Sequence, residues 1–255
     1  MVVLGSGSSG NCTLVEGARG RLLIDCGLSA RETARRLQQV GCDPKTIDAV
    51  VVSHEHGDHV GGAAMFSRRY GAVIHTTAAT ARAAGLDPAG MAGLALHEAA
   101  AAWSVGDLTV DTFTVPHDAV DNVGVVVSCD GVRLGYATDL GFPTRLVYER
   151  LRACQILVTE ANHDPMMLRD GPYPWSVKQR IAGRHGHMSN EAMRSLVAEV
   201  AVDATRHLFL AHLSGTNNTP DLARRAGRAA LEDAGRPGVA VHVARQDQVS
   251  EVVET

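Results

Sequence analysis

No apolar run in this chain approaches the ~20 residues of a membrane span, which excludes an ordinary transmembrane helix. No basic segment followed by an apolar one opens it either. Residues Met1 to Leu4 run directly into a glycine loop and are read as a first strand, not as a secretory signal. Cysteine is scarce: Cys12, Cys26, Cys42, Cys129 and Cys154 are scattered, odd in number and never spaced C-x-x-C. That argues against a disulfide framework or a thiolate zinc knuckle and points to the reducing cytoplasm, with the thiols serving as small buried hydrophobes. Lysine occurs only at Lys45 and Lys178, and the net charge is −4. An acidic chain does not grip nucleic acid with its whole surface, although a local basic groove remains open to it.

The chain has 255 residues, 45% apolar and 20% charged, which suits one large globular α/β domain over residues 1–255. No internal repeat or low-complexity linker divides it. Strand signals fall at Val2–Leu4, Arg21–Asp25, Ile47–Ser53, Ala72–His75, Leu108–Val115, Val123–Ser128, Val132–Thr138, Ile156–Thr159, His207–Leu210 and Val239–Ala244. Helix signals fall at Ser29 to about Val40, Gly61–Tyr70, Ala78–Ala84, Pro143–Arg152, Ser189–Val200 and Pro220–Ala234, with Gly171–Trp175 as a loop. Ser29 and Glu32 have capping-box spacing, and Gly41 ends that helix. Strands and helices in two similar halves predict a four-layer αβ/βα sandwich: two mixed sheets face to face, helices outside. A single doubly wound sheet is the competing architecture.

Histidine is abundant, at twelve residues, and it clusters. After the β-branched run ending at Ser53 comes His54-x-His56-x-Asp58-His59. Three imidazoles and a carboxylate within six residues suit a borderline divalent cation such as Zn²⁺, Mn²⁺ or Fe²⁺. Further donors follow apolar strands at His117, Asp139 and His212. Strand ends are where ligand loops gather, so all seven residues are read as metal ligands. His75, His97, His207 and His242 fit no pattern and are read as structural or exposed.

This set resembles the ligand motifs of the metallo-β-lactamase superfamily over nearly the whole chain. The resemblance implies two divalent ions: His54, His56 and His117 on one, Asp58, His59 and His212 on the other, Asp139 bridging. It also implies hydrolysis by a hydroxide shared between the ions, with Asp58 among the catalytic groups. A bridging Asp, where some β-lactamases carry Cys, is similar to the phosphodiesterase and thioesterase branches.

Additional motifs narrow the substrate. Gly5 to Asn11, with Ser6, Ser8 and Ser9, is a candidate phosphate cradle. Gly186-His187-Met188-Ser189, opening a helix, is similar to ribonuclease Z, which makes His187 the candidate for phosphate contact or leaving-group protonation. Ser189 has the alternative role of helix cap. Together with Glu160 to Asp164, Gly171 to Arg180 and the Gly5 to Cys12 start, the pattern closely resembles the YycJ/VicX (WalJ-like) subgroup, associated with 5′-to-3′ exonuclease action on DNA. Only 73 positions separate Asp139 from His212, too few for a β-CASP domain. Asn162, His163 and Ser214 are candidate substrate contacts. Trp175 is read as a core or cap residue more readily than as a base-stacking platform, and Lys178, Arg180 and Arg184 as a phosphate track or a solvated face. The leading expectation is a DNA exonuclease. A small-molecule hydrolase (cyclic phosphodiesterase or thioesterase) and a non-catalytic regulator are the rivals.

Overall fold

The computed structural model describes residues 1–254. Two mixed sheets face each other. The first holds β1 (Val2–Gly5), β2 (Cys12–Glu16), β3 (Arg21–Ile24), β4 (Ala49–Val51), β5 (Val73–Thr77) and β6 (Leu94–His97). The second holds β7 (Ala102–Val105), β8 (Leu108–Thr114), β9 (Val123–Cys129), β10 (Val132–Ala137), β11 (Ile156–Glu160), β12 (His207–Ala211) and β13 (Ala240–Val243). In both sheets spatial order follows chain order. Each begins with antiparallel pairings and ends with parallel ones.

Parallel neighbours need crossovers, and the helices supply them. In the first half these are α1 (Ala30–Gln39), α2 (Gly57–Val60), α3 (Ala63–Tyr70) and α4 (Ala78–Ala83). In the second they are α5 (Arg145–Leu151), α6 (Pro165–Asp170), α7 (Trp175–Ile181), α8 (Asn190–Val200) and α9 (Pro220–Asp233).

The period-2 alternation of the strands sorts their side chains into separate cores. Val3, Leu22, Ile24 and Val51 of the first sheet meet Val125, Val127, Val158 and Phe209 of the second. Val2, Leu4, Leu23 and Val50 point the other way, under Leu37 and Phe66. Val126, Leu157, Leu208 and Leu210 pack against Leu151, Leu196 and Leu231. Three apolar interlayers make four layers, as the sequence pattern predicts, and the single doubly wound sheet is ruled out.

Some elements differ from expectation. The run Ile47–Ser53 pairs only over Ala49–Val51. The helix expected over Gly61–Tyr70 runs from Ala63 to Tyr70, and a further short helix, Gly57–Val60, precedes it within the His-rich segment. Ser29 caps α1 by accepting from the Glu32 N–H, whereas the Glu32 carboxylate turns to Arg35 and Arg36. All five cysteines are unpaired, and four are buried. No helix among the described residues is long and apolar enough to cross a membrane.

Candidate metal centre

Strands β1, β3 and β4 of one sheet, and β8, β10, β11 and β12 of the other, end on the same side of the sandwich. The loops leaving them carry every ligand candidate, which is where open α/β sheets gather ligands. The His-rich loop follows β4 and enters α2. It is pinned to the loops after β3 and β1: Cys26 N–H donates to the His59 carbonyl at 2.8 Å, and Asn11 N–H to the Asp58 carbonyl at 2.7 Å. Gly27 is required here, because a Cβ would collide with that same Asp58 carbonyl.

All seven predicted ligands converge. One atom each from His54, His56 and His117 fall within 4.8 Å of one another, as do atoms of Asp58, His59 and His212. His54, His59 and Asp139 form a third such group that joins the two. The Asp139 carboxylate lies 3.1 Å from His59 Nε2 and 3.8 Å from His117 Nε2. Asp58 Oδ2 lies 3.2 Å from His212 Nε2.

These residues fit divalent metal on two counts. The buried atoms His54 Nε2, His117 Nε2 and Asp139 Oδ2 have no hydrogen-bond partner among the described residues. Native proteins seldom leave buried polar atoms orphaned, so a ligand is called for. The outward nitrogens, by contrast, are held: His59 Nδ1 by Asp25 at 2.8 Å, His117 Nδ1 by the Gly186 carbonyl at 3.0 Å, His212 Nδ1 by Glu160 at 2.9 Å. That fixes each ring with Nε2 facing inward, the arrangement metal-binding imidazoles use.

The electrostatics agree. Burial, then the neighbouring His59, push His54 down to about 2, leaving its lone pair free. Burial also disfavours charge on His212, yet Asp139, with Asp58 and Glu160, pushes it up to about 10. Asp58 and Asp139 are held below the usual carboxylate range despite burial, by the imidazoles around them. Buried carboxylates drawing on every available cation define a site built for positive charge.

Asp25 and Glu160 belong to the site and were missed as members from the sequence. Asp25 is fully buried and accepts from Ser53 N–H and Oγ–H at 2.8 and 3.1 Å, besides holding His59. Glu160 accepts from the Met188 N–H at 2.8 Å and faces the Nδ1 atoms of both His187 and His212, at 2.8 and 2.9 Å. Burial opposes its charge, but His187 and then His212 hold the carboxyl at about 2. A signal existed for Asp25: like Asp139 and His212, it follows directly on an apolar strand. The three share a left-handed backbone, with φ of 59°, 54° and 54°. Such conformations are strained for residues other than glycine and concentrate at functional sites.

The other candidates divide. His187, Asn162, Ser8 and Ser214 line a cavity of about 240 Å³ beside the donor set, with Asp118, Tyr173 and Arg180. Ser6 and Asn11 bond to each other at 2.9 Å; the Ser6 hydroxyl also accepts from His212 N–H at 2.8 Å, and the Asn11 amide reaches toward Asp58 and His59. Most backbone donors of the Gly5 to Asn11 loop are engaged internally, including Ser9 N–H on Gln246. Ser189 caps α8 by accepting from Ala192 N–H. His163 is buried one step away, facing a separate cavity. His75 and His97 stack with Trp103, and His207 pairs with His242, all away from the donor set.

A four-layer sandwich with a His/Asp donor set at its strand ends defines the metallohydrolase class. The family model for the metallo-beta-lactamase superfamily matches residues 5–177. The exodeoxyribonuclease YycJ of Bacillus anthracis is 33% identical over 237 residues, 91% of this chain and 89% of that protein. The exodeoxyribonuclease WalJ of Streptococcus pneumoniae is 32% identical over 225 residues, 87% and 84% of the two. The chain belongs to the metallo-beta-lactamase superfamily, in the group of YycJ and WalJ. Among solved structures, the metallo-beta-lactamase fold protein YhfI of Bacillus subtilis superposes with a TM-score of 0.73 over 97% of each chain, at 16% identity. Zn²⁺-bound PqqB of Methylobacterium extorquens superposes at 0.70 over 98% of this chain and 99% of its own, also at 16%. Both likenesses are in fold.

Proposed function

We propose that this protein is a dinuclear metal-dependent phosphodiesterase that digests DNA from the 5′ end. The observation that carries this reading is the cavity beside the donor set. It brings His187 and Asn162 beside the donor set together with Arg180, whose guanidinium Nε donates to Asp118 at 2.6 Å in the same wall and whose fork suits phosphate. The likeness to YycJ and WalJ along about nine-tenths of the chain supports the substrate class.

His54, His56 and His117 would hold one divalent ion and Asp58, His59 and His212 a second, with Asp139 placed between the two groups. Divalent ions bound there, Zn²⁺, Mn²⁺ or Fe²⁺, acidify a water and polarise phosphoryl oxygens. The chain's own residues do the remaining work. Asp58, 3.2 Å from His212 Nε2 and partly exposed, would orient the attacking water. His187 is 20% exposed at its side chain and is braced by Glu160 at 2.8 Å, which raises its pKa against the effect of burial. A protonated imidazole at the cavity wall donates to the departing oxygen. Ser8, Asn162 and Ser214 hold phosphate and sugar oxygens, while Ser6 and Asn11 act by positioning His212 and the His-rich loop. Ser9, His163 and Ser189 lie further out. Unpaired thiols fit a cytoplasmic location.

The test is purified protein with Mn²⁺ on 5′-labelled DNA. Metal-dependent release of nucleotides from the 5′ end is expected. Robust thioester cleavage with no loss of nucleotides would overturn the reading in favour of a small-molecule hydrolase.

A further inference from the structure

Trp175, expected from the sequence as a core or cap residue, is instead 69% exposed on α7. The segment after β13 carries no motif at all, and it is bonded into the surroundings of the donor set. It leaves the second sheet with Ala244 N–H donating to the Leu210 carbonyl at 2.9 Å. It then crosses to the first sheet and runs along β1, the edge strand there. The Ser250 and Val253 N–H groups donate to the Val3 and Met1 carbonyls, each at 2.9 Å, and Val3 N–H donates to Ser250 Oγ at 2.9 Å. Buried Arg36 staples the two together: its Nη1 donates to the Leu4 carbonyl at 2.8 Å and to the Gln246 carbonyl at 2.9 Å. An edge strand has unpaired backbone groups, and a covering segment satisfies them.

The Gln246 side chain reaches past that edge. Strand β1 ends at Gly5, whereas Gln246 bonds the Gly-Ser loop beyond it: Oε1 accepts from Ser9 N–H at 2.8 Å and Nε2 donates to the Gly10 carbonyl at 2.9 Å. Beside it, Ser6 N–H donates to the Arg245 carbonyl at 3.0 Å. A primary amide presents donor and acceptor together, so it pairs with main chain as another strand residue would. The loop needs such a partner, because glycine loses more freedom on ordering than any other residue. Gly7, with φ of 142°, also makes room for the amide: a Cβ there would come within 2.8 Å of Gln246 Oε1.

The loop serves one side of the donor set. Asn11 N–H donates to the Asp58 carbonyl at 2.7 Å, and Asn11 Nδ2 lies 3.1 Å from His59 Nε2. Ser6 Oγ accepts from His212 N–H at 2.8 Å. All three donors of the Asp58, His59 and His212 group therefore touch it. In the other group, His117 Nδ1 is held by the Gly186 carbonyl at 3.0 Å, and His54 Nδ1 lies 3.0 Å from Ser53 Oγ.

We propose that Gln246 is a positioning residue for the Asp58, His59 and His212 group. By pinning Ser9 and Gly10 it fixes Ser6 and Asn11, and through them those three donors. This rests on the two-ion reading and ties the segment after β13 to one of the two ions. A segment that merely covered an edge strand would act on stability and leave metal binding alone.

The test titrates Zn²⁺ into metal-free protein against a chromophoric chelator, where the wild type should show two binding steps. Gln246→Met keeps the side chain's length and removes both hydrogen bonds. One step should weaken about 10-fold, the lower end of the usual cost of losing a group that orients a ligand, and the other should not change. In an Asn11→Ala background the same substitution should add little, because the two residues act in series. Ser250→Ala, on the covered edge, should lower Tm and leave both steps as they are. Two unchanged steps in Gln246→Met overturn the proposal, as do two equally weakened steps, full additivity with Asn11→Ala, or a like weakening in Ser250→Ala. In each of these cases the two-ion reading stands. A wild-type protein that takes up a single ion removes that reading, and the proposal with it.

Discussion

Asp25 Oδ2 lies 2.8 Å from His59 Nδ1, and neither side chain is exposed to solvent at all. The carboxylate faces the imidazole Nδ1 and sets Nε2 toward Asp58 and Asp139, at 3.5 and 3.1 Å. The same carboxylate fixes the start of the His-rich loop through Ser53. One residue outside the donor set thus fixes both the ring orientation and the placement of a candidate donor.

Asp25→Asn keeps the volume and removes the charge. Divalent-metal affinity should fall about 10- to 100-fold, as is usual when the group orienting a ligand imidazole is changed. Competition with a chromophoric chelator measures it directly, without any assay of activity. Unaltered affinity would show that the loop holds His59 without Asp25.

His187→Ala should separate proton donation from phosphate contact. On DNA, where the departing oxygen is a poor leaving group, kcat should drop about 10²- to 10⁴-fold. On bis(p-nitrophenyl) phosphate, whose phenolate leaves without a proton, the drop should be far smaller. Equal drops would assign His187 to gripping phosphate instead.

Removing metal should destabilise as well as inactivate, because the ion binds the donors that only the folded chain brings together. Restoring a divalent ion at one hundred times its Kd contributes about 2.7 kcal/mol. For a chain of this size that raises Tm by roughly 5–10 °C. Thermal scans in chelator and in a metal series test this, and Asp139→Asn should blunt the shift.

Acid should weaken the fold partly through His75. Burial, then the neighbouring His97, push it down to about 4. Unfolded, it titrates near 6.5. Between those values the unfolded chain takes up a proton that the folded chain refuses, so this contribution is complete above about pH 6.5 and declines as pH falls toward 4. Urea midpoints at pH 7.5 and pH 5 should therefore converge in His75→Gln relative to the wild type. An identical pH dependence in the two proteins would contradict it.

The convergence of the seven candidate donors was legible because each lies in a loop that follows an apolar strand whose end must lie on one side of a sheet, and because imidazoles rarely cluster without cause. Asp25 and Glu160 were harder to see. A lone carboxylate after a strand looks like a turn residue until the fold brings it beside His59 or between His187 and His212. Strand β2 (Cys12–Glu16) was missed, being short and close behind a glycine loop, as were β6 and β7, where burial is partial and alternation weak. Helix α7 was missed for a different reason. Hydrophobic periodicity records a buried face, and this helix has none. Ser189 could be given two roles from sequence, and the structure gives its hydroxyl to the helix start.

Because each sheet is assembled from consecutive strands, the chain reads as two successive half-molecules. The first contributes His54, His56, Asp58 and His59; the second contributes His117, Asp139 and His212. Neither half can complete the donor set alone. An ion seated among them would act as a clasp across the sandwich, so the last event of folding and the first event of catalysis would share a single checkpoint: a chain that has not closed has nowhere to keep its metal.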